Sequence, residues 1–192
     1  VTFAMDRAGI VGADGPTHHG LLDITYLRGY PNIVLIAPKD EAEMRDMLLT
    51  AIEHPGPAAL RYPRGNGIGA DISEAPKTIE IGKGEIVRNG TDAAIIAYGT
   101  MVNAASDAAE LLASSGVQAT VVNARFVKPL DEGLITKLAR EHHVIVTVEE
   151  AYLAGGFGSA VMELLEEHQL LDNTTVIRLG VPDEIVPHGD VK

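Results

Sequence analysis

A glycine-rich stretch at residues 6–20, DRAGIVGADGPTHHG, concentrates the side chains that are best suited to chemistry. Arg7 offers a planar, charged fork that fits a carboxylate or a phosphate. His18 and His19 can exchange protons near neutral pH, and Asp14 can orient a histidine or accept a hydrogen bond from a hydroxyl group. The glycines bury little apolar surface and let the backbone approach a small ligand. The stretch is therefore either a plain solvated loop or part of a binding site.

A second run of this kind, PRGNG at 63–67, follows a candidate strand at 58–62. The glycine-rich stretch likewise follows a short apolar run that is typical of the end of a buried strand. Ligands of open α/β sheets lie at the carboxyl ends of strands. Arg7 and Arg64 can therefore hold one phosphate together through charge-assisted hydrogen bonds. The alternative is a pair of solvated surface arginines, and for Arg61 we favour that alternative.

The elements that must position these side chains follow from the spacing of apolar residues. Apolar runs bounded by turn residues predict strands, and helical spacing of apolar residues predicts helices. The first part predicts a strand at 1–5, a short helix at 21–27, a strand at 33–37, a helix capped by Asp40 and ended by 54–56, and a strand at 58–62. From residue 92 onward, the sequence predicts strands at 93–98, 117–123, 144–148 and 175–179. Three helices alternate with them: one that ends at about 114, one that begins at 129–131 and one at 158–168. This alternation indicates right-handed crossovers, a mainly parallel sheet and an α/β fold.

Residues 68–91 differ in character from the two parts that they join. The segment 71–76 is polar and ends in proline, and glycines follow at positions 82 and 84. The pair Asn89-Gly90 predicts a turn between two short strands. We therefore place a domain boundary in this region.

Composition and charge narrow the class of partner. The 192 residues are 46% hydrophobic and 22% charged, which is typical of a globular protein with a sizeable core. The formal net charge of -12 disfavours nucleic acids and anionic membranes as partners, but an anionic substrate fits if basic residues are concentrated locally. No apolar run approaches the ~20 residues that span a bilayer. Cysteine is absent, which agrees with a cytoplasmic location.

The ordered motifs resemble one enzyme family over nearly the whole chain. DRAGIVGADGPTHHG, followed by LLDITYLR at 21–28 and LRYPRGNG at 60–67, resembles the pyrimidine-binding domain of the 1-deoxy-D-xylulose-5-phosphate synthases. These are thiamine-diphosphate enzymes of the transketolase superfamily. The motifs of the second part resemble the family's C-terminal domain: ARFVKPLD at 124–131, TVEE at 147–150, GGFGS at 155–159 and LGVPD at 179–183. The resemblance implies the end of a pyrimidine-binding domain at 1–75, a linker with entry strands at 76–91 and a C-terminal α/β domain at 92–192.

The family condenses pyruvate with glyceraldehyde 3-phosphate and releases carbon dioxide, in a step that supplies isoprenoid, thiamine and pyridoxal biosynthesis. By position, Arg7 and Arg64 match the arginines that hold the phosphate of the aldehyde. Asp14 and His18 match the family's DGxTH pair, in which the histidine handles a proton and the aspartate contacts substrate hydroxyl groups. His19 occupies a position that is not diagnostic, so it stays outside the predicted catalytic set.

Three other patterns are interpreted as structural, and for the segment 155–159 the resemblance implies this role. Glu149-Glu150 at a strand end suggests acid–base chemistry, and 155–159 before a helix suggests an anion-binding turn, but we expect structural or interface roles for both. His142, His143 and His168 are interpreted as helix-end or surface histidines.

Parts of the family's site have no counterpart in this sequence. The GDG motif that binds Mg²⁺ and diphosphate, and the glutamate that activates the aminopyrimidine, precede the DRAG run in the family. We therefore expect the cofactor-binding residues upstream of Val1 and assign none within the sequence. The resemblance implies a piece of a longer enzyme that by itself binds no thiamine diphosphate or metal and turns over nothing. It would act with the missing N-terminal portion, in a homodimer.

Two alternatives stay open. One is another superfamily member, either a transketolase or the β subunit of a 2-oxoacid dehydrogenase, although the acyl substrate of that subunit carries no phosphate for two arginines. The other is a non-catalytic module that serves dimerisation.

Overall fold

The structure of the protein, a computed structural model, describes residues 1–190. Its strands are β1 (Thr2–Met5), β2 (Val34–Ile36), β3 (Ala58–Arg61), β4 (Glu85–Arg88), β5 (Ala93–Ala97), β6 (Ala119–Asn123), β7 (Phe126–Lys128), β8 (Val144–Tyr152) and β9 (Thr175–Val181). Its α-helices are α1 (Asp23–Leu27), α2 (Glu41–Glu53), α3 (Met101–Ser114), α4 (Glu132–Glu141) and α5 (Phe157–Glu167). The predicted α/β fold is confirmed.

The first sheet has the strand order β1-β3-β2-β7. β1, β3 and β2 run parallel, and Met5 at the end of β1 lies opposite Arg61 at the end of β3. Every residue of β2 and β3 is buried, as expected for parallel strands that are covered on both faces. β7 comes from the second half of the chain, pairs antiparallel with β2 and was not predicted.

The first strand is shorter and more exposed than the sequence predicts. The strand predicted at 1–5 is present at Thr2–Met5, but its residues are half-buried or exposed, so the expectation that it is buried is wrong. The physical reason is its place in the sheet, because β1 is an edge strand with β3 as its neighbour on one side. Val1 O still accepts a hydrogen bond from Ala58 N at 3.0 Å, which aligns the start of β1 with the start of β3.

The second sheet has the order β4-β6-β5-β8-β9. Its last four strands run parallel and β4 runs antiparallel to β6, so the predicted mainly parallel sheet is confirmed. The turn at Asn89-Gly90 joins β4 to β5, yet these strands are not neighbours because β6 lies between them. Gly90 N donates to Thr120 Oγ1, and the next two amides donate to Gln118 O, so this segment pairs with β6 rather than closing a hairpin.

Side-chain caps begin two of the helices, and the cap at Asp40 is the one that the sequence predicts. Asp40 Oδ1 accepts a hydrogen bond from Glu43 N at 2.8 Å at the start of α2. Asp131 Oδ1 accepts one from Leu134 N at 3.1 Å at the start of α4. Each cap satisfies an amide that has no partner within its helix.

His142 lies at the end of α4, but it is buried and is therefore not a surface histidine. Its Nε2 lies 3.2 Å from Thr120 Oγ1, and its Nδ1 lies 3.1 Å from Leu138 O. The ring thus connects α4 to β6.

The two sheets share one hydrophobic core. Leu35 of the first sheet and Ile96 of the second belong to the same buried cluster, which also contains Phe157 of α5. The Phe157 ring stacks on that of Tyr98, with their centroids 5.4 Å apart. The strand ends of both sheets are therefore held by one packed interior. Among the helices of residues 1–190, none has the length and apolar character required to cross a membrane.

A buried ionic group also links the two halves. Glu43 of α2 accepts hydrogen bonds from Asn123 Nδ2 at 2.8 and 3.0 Å, from Arg125 Nε at 2.7 Å and from Lys39 N at 2.8 Å. Because a buried carboxylate needs several donors to offset its desolvation, these contacts fix α2 against the end of β6.

Candidate functional site

Three of the four predicted site residues meet at one edge of the first sheet. β1 and β3 are parallel neighbours, so the segments that follow them leave the sheet at the same edge. Arg7 Nε lies 3.3 Å from Asp14 Oδ2, and Arg64 pairs with the same carboxylate oxygen. We call Arg7, Asp14 and Arg64 the arginine cluster.

Backbone hydrogen bonds bring the segments after β1 and β3 together. Tyr62 N donates to Met5 O at 3.0 Å, and Ala8 N donates to Tyr62 O at 2.9 Å. Between them Arg7 has a φ of 60°, in the left-handed region that non-glycine residues seldom occupy. This backbone geometry turns Arg7 away from the strand direction at the point where the site begins.

The charges of the arginine cluster are balanced by carboxylates. The hydrogen bond from Arg64 is the main reason that the pKa of Asp14 lies below its usual value, and the Arg7 contact acts in the same direction. Arg7 also pairs with Asp6. A substrate anion would therefore meet two guanidinium groups that are already close together, and it would compete with Asp14 for them.

His18 lies on the same glycine-rich stretch but outside the arginine cluster. Its side chain is exposed, and its Nδ1 lies 3.0 Å from Thr17 Oγ1. The backbone amide of His18 donates to Gly15 O at 3.0 Å, which closes a turn after Asp14. The imidazole is therefore accessible to solvent, four residues after Asp14 in the chain.

His19, which the sequence does not mark as catalytic, braces the stretch from within. Its Nδ1 accepts a hydrogen bond from Val11 N at 3.1 Å. Its Nε2 is buried without a hydrogen-bond partner among residues 1–190. The ring thus supports the backbone that leads into the short 3₁₀ turn at Gly12–Asp14.

Arg61 is buried, so its interpretation as a solvated surface arginine is wrong. Only 3% of its surface is exposed, and its Nε donates to Asp23 Oδ2 at 2.7 Å. Its Nη2 donates to Gly20 O at 3.1 Å, and its guanidinium lies 5.7 Å from the centroid of the Tyr98 ring. Because β3 is covered on both faces, a charged side chain on it requires partners from other elements. Through its hydrogen bond to Gly20 O, Arg61 holds the end of the glycine-rich stretch against the buried interior.

Glu149 and Glu150 of β8 both accept hydrogen bonds from backbone amides. The carboxylate of Glu149 accepts hydrogen bonds from Phe157 N at 2.6 Å and Gly158 N at 2.8 Å, and burial raises its pKa to about 7. The turn before α5 therefore already holds an internal carboxylate, in agreement with a structural role. Glu150 Oε1 accepts a hydrogen bond from Ile10 N at 2.9 Å, and burial raises its pKa as well.

Two further contacts hold the borders of the site, and the sequence pattern did not reveal either. Glu41 accepts hydrogen bonds from the amides of residues 68–70 at 3.1, 2.6 and 2.8 Å, which fixes the chain just after Arg64. Gly189 N lies 3.3 Å from Gly12 O, so the segment after β9 packs on the glycine-rich stretch. Both contacts join residues that are far apart in the chain.

The donor set of the site suits an anion better than a divalent cation. Its acidic side chains, Asp6 and Asp14, are both paired with arginine. Within residues 1–190 no group of three or more His, Cys, Asp or Glu side chains is arranged to hold a metal ion. The carboxylates of the arginine cluster and its neighbour Asp6, already paired with arginines, therefore do not by themselves fit a Mg²⁺ ion.

The expectation that the cofactor-binding residues lie upstream of Val1 concerns positions outside this sequence. Val1 itself precedes β1 with 82% of its surface exposed, whereas the arginine cluster begins beyond the other end of that strand. The side chain of Val1 is apolar and offers no hydrogen bond to a diphosphate. The upstream location of the cofactor-binding residues stays a prediction.

Sequence comparisons identify both halves of the chain. The model of the transketolase pyrimidine-binding domain matches residues 1–68, and that of the transketolase C-terminal domain matches residues 82–192. A 1-deoxy-D-xylulose-5-phosphate synthase of Geobacter metallireducens is 57% identical over 190 residues, which are 99% of this chain and 30% of that protein. The synthase of Heliobacterium modesticaldum is 57% identical over 191 residues, or 29% of its length. The chain thus spans about 30% of these curated relatives.

Structural comparisons lead to the same fold. A split-gene transketolase, described as an inactive beta4 tetramer, superposes with a TM-score of 0.84 at 33% identity, and the match covers 96% of this chain and 58% of that one. A transketolase of Pichia stipitis superposes with a TM-score of 0.72 at 24% identity, over 98% of this chain and 26% of the other. The second match shows the fold alone.

Proposed function

The chain belongs to the transketolase family, and we propose that it is a portion of a thiamine-diphosphate-dependent 1-deoxy-D-xylulose-5-phosphate synthase. In the complete enzyme, pyruvate and glyceraldehyde 3-phosphate would be condensed with loss of carbon dioxide. We assign residues 1–75 to the pyrimidine-binding domain, 76–91 to a linker with its entry strand and 92–192 to the C-terminal domain. The 57% identity to named synthases over the length of the chain supports this choice.

The observation that carries the proposal is the convergence of Arg7 and Arg64 on one carboxylate oxygen. Two guanidinium groups that share one oxygen are close enough to bind a single phosphate through charge-assisted hydrogen bonds. The phosphate of the aldehyde would replace Asp14 as their partner. Asp14, released in this way, would accept hydrogen bonds from the substrate hydroxyl groups.

His18 would move the proton in this reaction. Its ring is exposed, and its backbone amide closes the turn that directly follows Asp14. An imidazole in this position can donate a proton to the carbonyl oxygen of the aldehyde as that oxygen gains charge, and can orient the substrate by the same hydrogen bond.

The complete enzyme would use thiamine diphosphate and Mg²⁺. The cofactor supplies the centre that stabilises negative charge on carbon, whereas the protein supplies position and proton transfer. Because the described acidic side chains of the site are committed to arginines, we assign the metal and diphosphate contacts to residues upstream of Val1, in the part of the relatives that this chain does not span.

Accordingly, we propose that the chain works with the remaining portion of the same enzyme, in a homodimer, and is inactive by itself. The split-gene transketolase supports this view, since the chain that this protein resembles is described as an inactive tetramer. The arginine cluster argues against the β subunit of a 2-oxoacid dehydrogenase, because an acyl group without phosphate has no use for it.

The decisive experiment measures aldehyde specificity in a complete synthase that contains this chain. With thiamine diphosphate, Mg²⁺ and pyruvate, we expect turnover of glyceraldehyde 3-phosphate. Replacing Arg64→Ala or Arg7→Ala should raise its KM roughly tenfold or more, because a hydrogen bond to a charged group is lost. The same variants should have little effect on the KM of unphosphorylated glyceraldehyde. Arg140→Ala, at an exposed position of α4, is the matched control.

The outcomes separate the candidate reactions. Equal effects on both aldehydes would refute the phosphate role of the two arginines. Turnover of a ketose phosphate donor in place of pyruvate would make the complete enzyme a transketolase. Turnover by this chain without the remaining portion would refute the proposed inactivity.

A further inference from the structure

One side chain of the second sheet contacts the backbone of the glycine-rich stretch near its beginning. Glu150, near the end of β8, accepts the hydrogen bond from Ile10 N at 2.9 Å across 140 positions of sequence. The contact joins the C-terminal part of the chain, which contributes no predicted site residue, to the segment that holds Asp14 and His18.

The backbone beside this hydrogen bond is shaped to receive the carboxylate. Gly9 has a φ of 82°, and a Cβ atom at this position would overlap the Glu150 carboxyl group. Gly9 is also tied to Gly20, since each amide donates to the carbonyl of the other residue at 2.9 Å. The Glu150 carboxyl group therefore packs against Gly9, where the backbone near the start of the stretch is hydrogen-bonded to Gly20 at its end.

From this point a short chain of contacts leads to the site. Val11, next to Ile10, donates its amide to His19 Nδ1, and the turn at Gly12–Asp14 follows directly. Asp14 N in turn lies 3.4 Å from Val11 O. A shift of the Ile10 amide would be passed along this rigid turn to the Asp14 carboxylate.

β8 supports the other end of the stretch as well. Arg61 Nη2 donates both to Gly20 O at 3.1 Å and to the main-chain oxygen of Glu150 at 3.3 Å. Tyr152 N donates to Leu21 O at 3.1 Å. Residues near the end of β8 thus contact both ends of the glycine-rich stretch. The contact near its beginning is made by the side chain of Glu150.

We propose that Glu150 is a positioning residue for the reaction, which acts by holding the Ile10 amide so that Asp14 and His18 face the substrate. This inference rests on the proposed function. Glu150 serves as a hydrogen-bond acceptor, and it neither gives nor takes a proton in the reaction. An acceptor without charge at the same place should therefore be sufficient.

The first test measures amide hydrogen exchange in this chain. Replacing Glu150→Ala should make the Ile10 amide exchange roughly tenfold faster, because its acceptor is lost. Glu150→Gln retains an acceptor oxygen and should stay within about twofold of the unmodified protein. Glu150→Asp, which keeps the charge on a shorter side chain, should behave like the alanine variant and replaces it if Glu150→Ala does not fold. Glu110→Ala, on the exposed face of α3, is the control for loss of a glutamate.

The second test measures kinetics in a complete synthase that contains this chain. Glu150→Ala should lower kcat/KM for glyceraldehyde 3-phosphate roughly tenfold and leave the KM of pyruvate unchanged, and Glu150→Gln should restore the value. A glutamine variant as slow as the alanine variant would mean that the carboxylate acts through its charge or proton, which overturns the proposal. Unchanged Ile10 exchange in the alanine variant would overturn it as well.

Failure of the underlying function has a separate signature. If the unmodified complete enzyme does not condense the two substrates, the proposed function is wrong. The exchange of Ile10 in the three variants still decides whether Glu150 holds the stretch.

Discussion

Glu149 makes the stability of the protein depend on pH in a direction that can be measured. Its carboxylate is 3% exposed and accepts hydrogen bonds from two amides at the start of α5. Burial favours the neutral carboxyl, whereas the two amides and the helix dipole favour the charged form. Burial dominates and raises the pKa from 4.5 to about 7.

The size of the effect on the unfolding free energy follows from the difference between the usual and the raised pKa of Glu149. A pKa unit corresponds to about 1.4 kcal/mol, so a rise from 4.5 to about 7 corresponds to about 3 kcal/mol of unfolding free energy. Between these two pH values the folded protein binds more protons than the unfolded chain, so stability falls as pH rises. The contribution of Glu149 is fully present below pH 4.5 and is lost as pH rises through about 7.

The assay is urea unfolding of the unmodified chain and of Glu149→Gln, at pH values from 4 to 8. The variant removes this one titration, and the other groups cancel in the difference between the two proteins. We expect the stability of the unmodified chain relative to the variant to fall by about 3 kcal/mol over this range. Glu110→Gln, on the exposed face of α3, should give a difference that does not change with pH.

A stability difference between the unmodified chain and Glu149→Gln that rises with pH would refute the reasoning. If the difference rises between pH 4 and pH 5 and is flat above, the carboxylate is charged in the folded protein. The two amide hydrogen bonds would then outweigh burial, and the pKa would lie below 4.5 rather than above it.

Three other substitutions test the contacts that hold the site. Glu43→Ala should lower the unfolding free energy by about 1–3 kcal/mol, because the buried Asn123 Nδ2 loses its acceptor while Arg125 keeps its contact with Glu85, and urea unfolding measures the loss. Phe126→Ala, at the fully buried start of β7, should cost about 3–5 kcal/mol in the same assay through the cavity that it creates. Glu41→Ala should accelerate hydrogen exchange of the amides at 68–70, which NMR resolves individually, because three amides lose their acceptor together.

The controls for these substitutions are chosen from exposed positions. Glu110→Ala should stay within about 0.5 kcal/mol of the unmodified protein. A loss of less than about 1 kcal/mol for Glu43→Ala would mean that the ionic group adds little to stability. The same result for Phe126→Ala would show that β7 repacks, and unchanged exchange at 68–70 would remove Glu41 from the support of Arg64.

Features that depend on neighbours in sequence could be predicted. Asp40 and Asp131 cap their helices because a cap needs only an acceptor and an amide three residues later. That Arg7 and Arg64 each follow a strand could also be predicted from a local pattern, but their common edge depends on the parallel pairing of β1 with β3 in the folded sheet. β7 could not be predicted, because a three-residue strand becomes one only through its partner β2.

The sequence therefore determined most of the strands and helices and the cap at Asp40, since each depends on the backbone and nearby residues. Tertiary structure alone decided which charged groups are buried and what they contact. Arg61 meets Asp23 across 38 positions, and Glu150 meets Ile10 across 140. The reason is physical: the cost of burying a charge, and therefore its pKa and its role, depends on the elements that cover it.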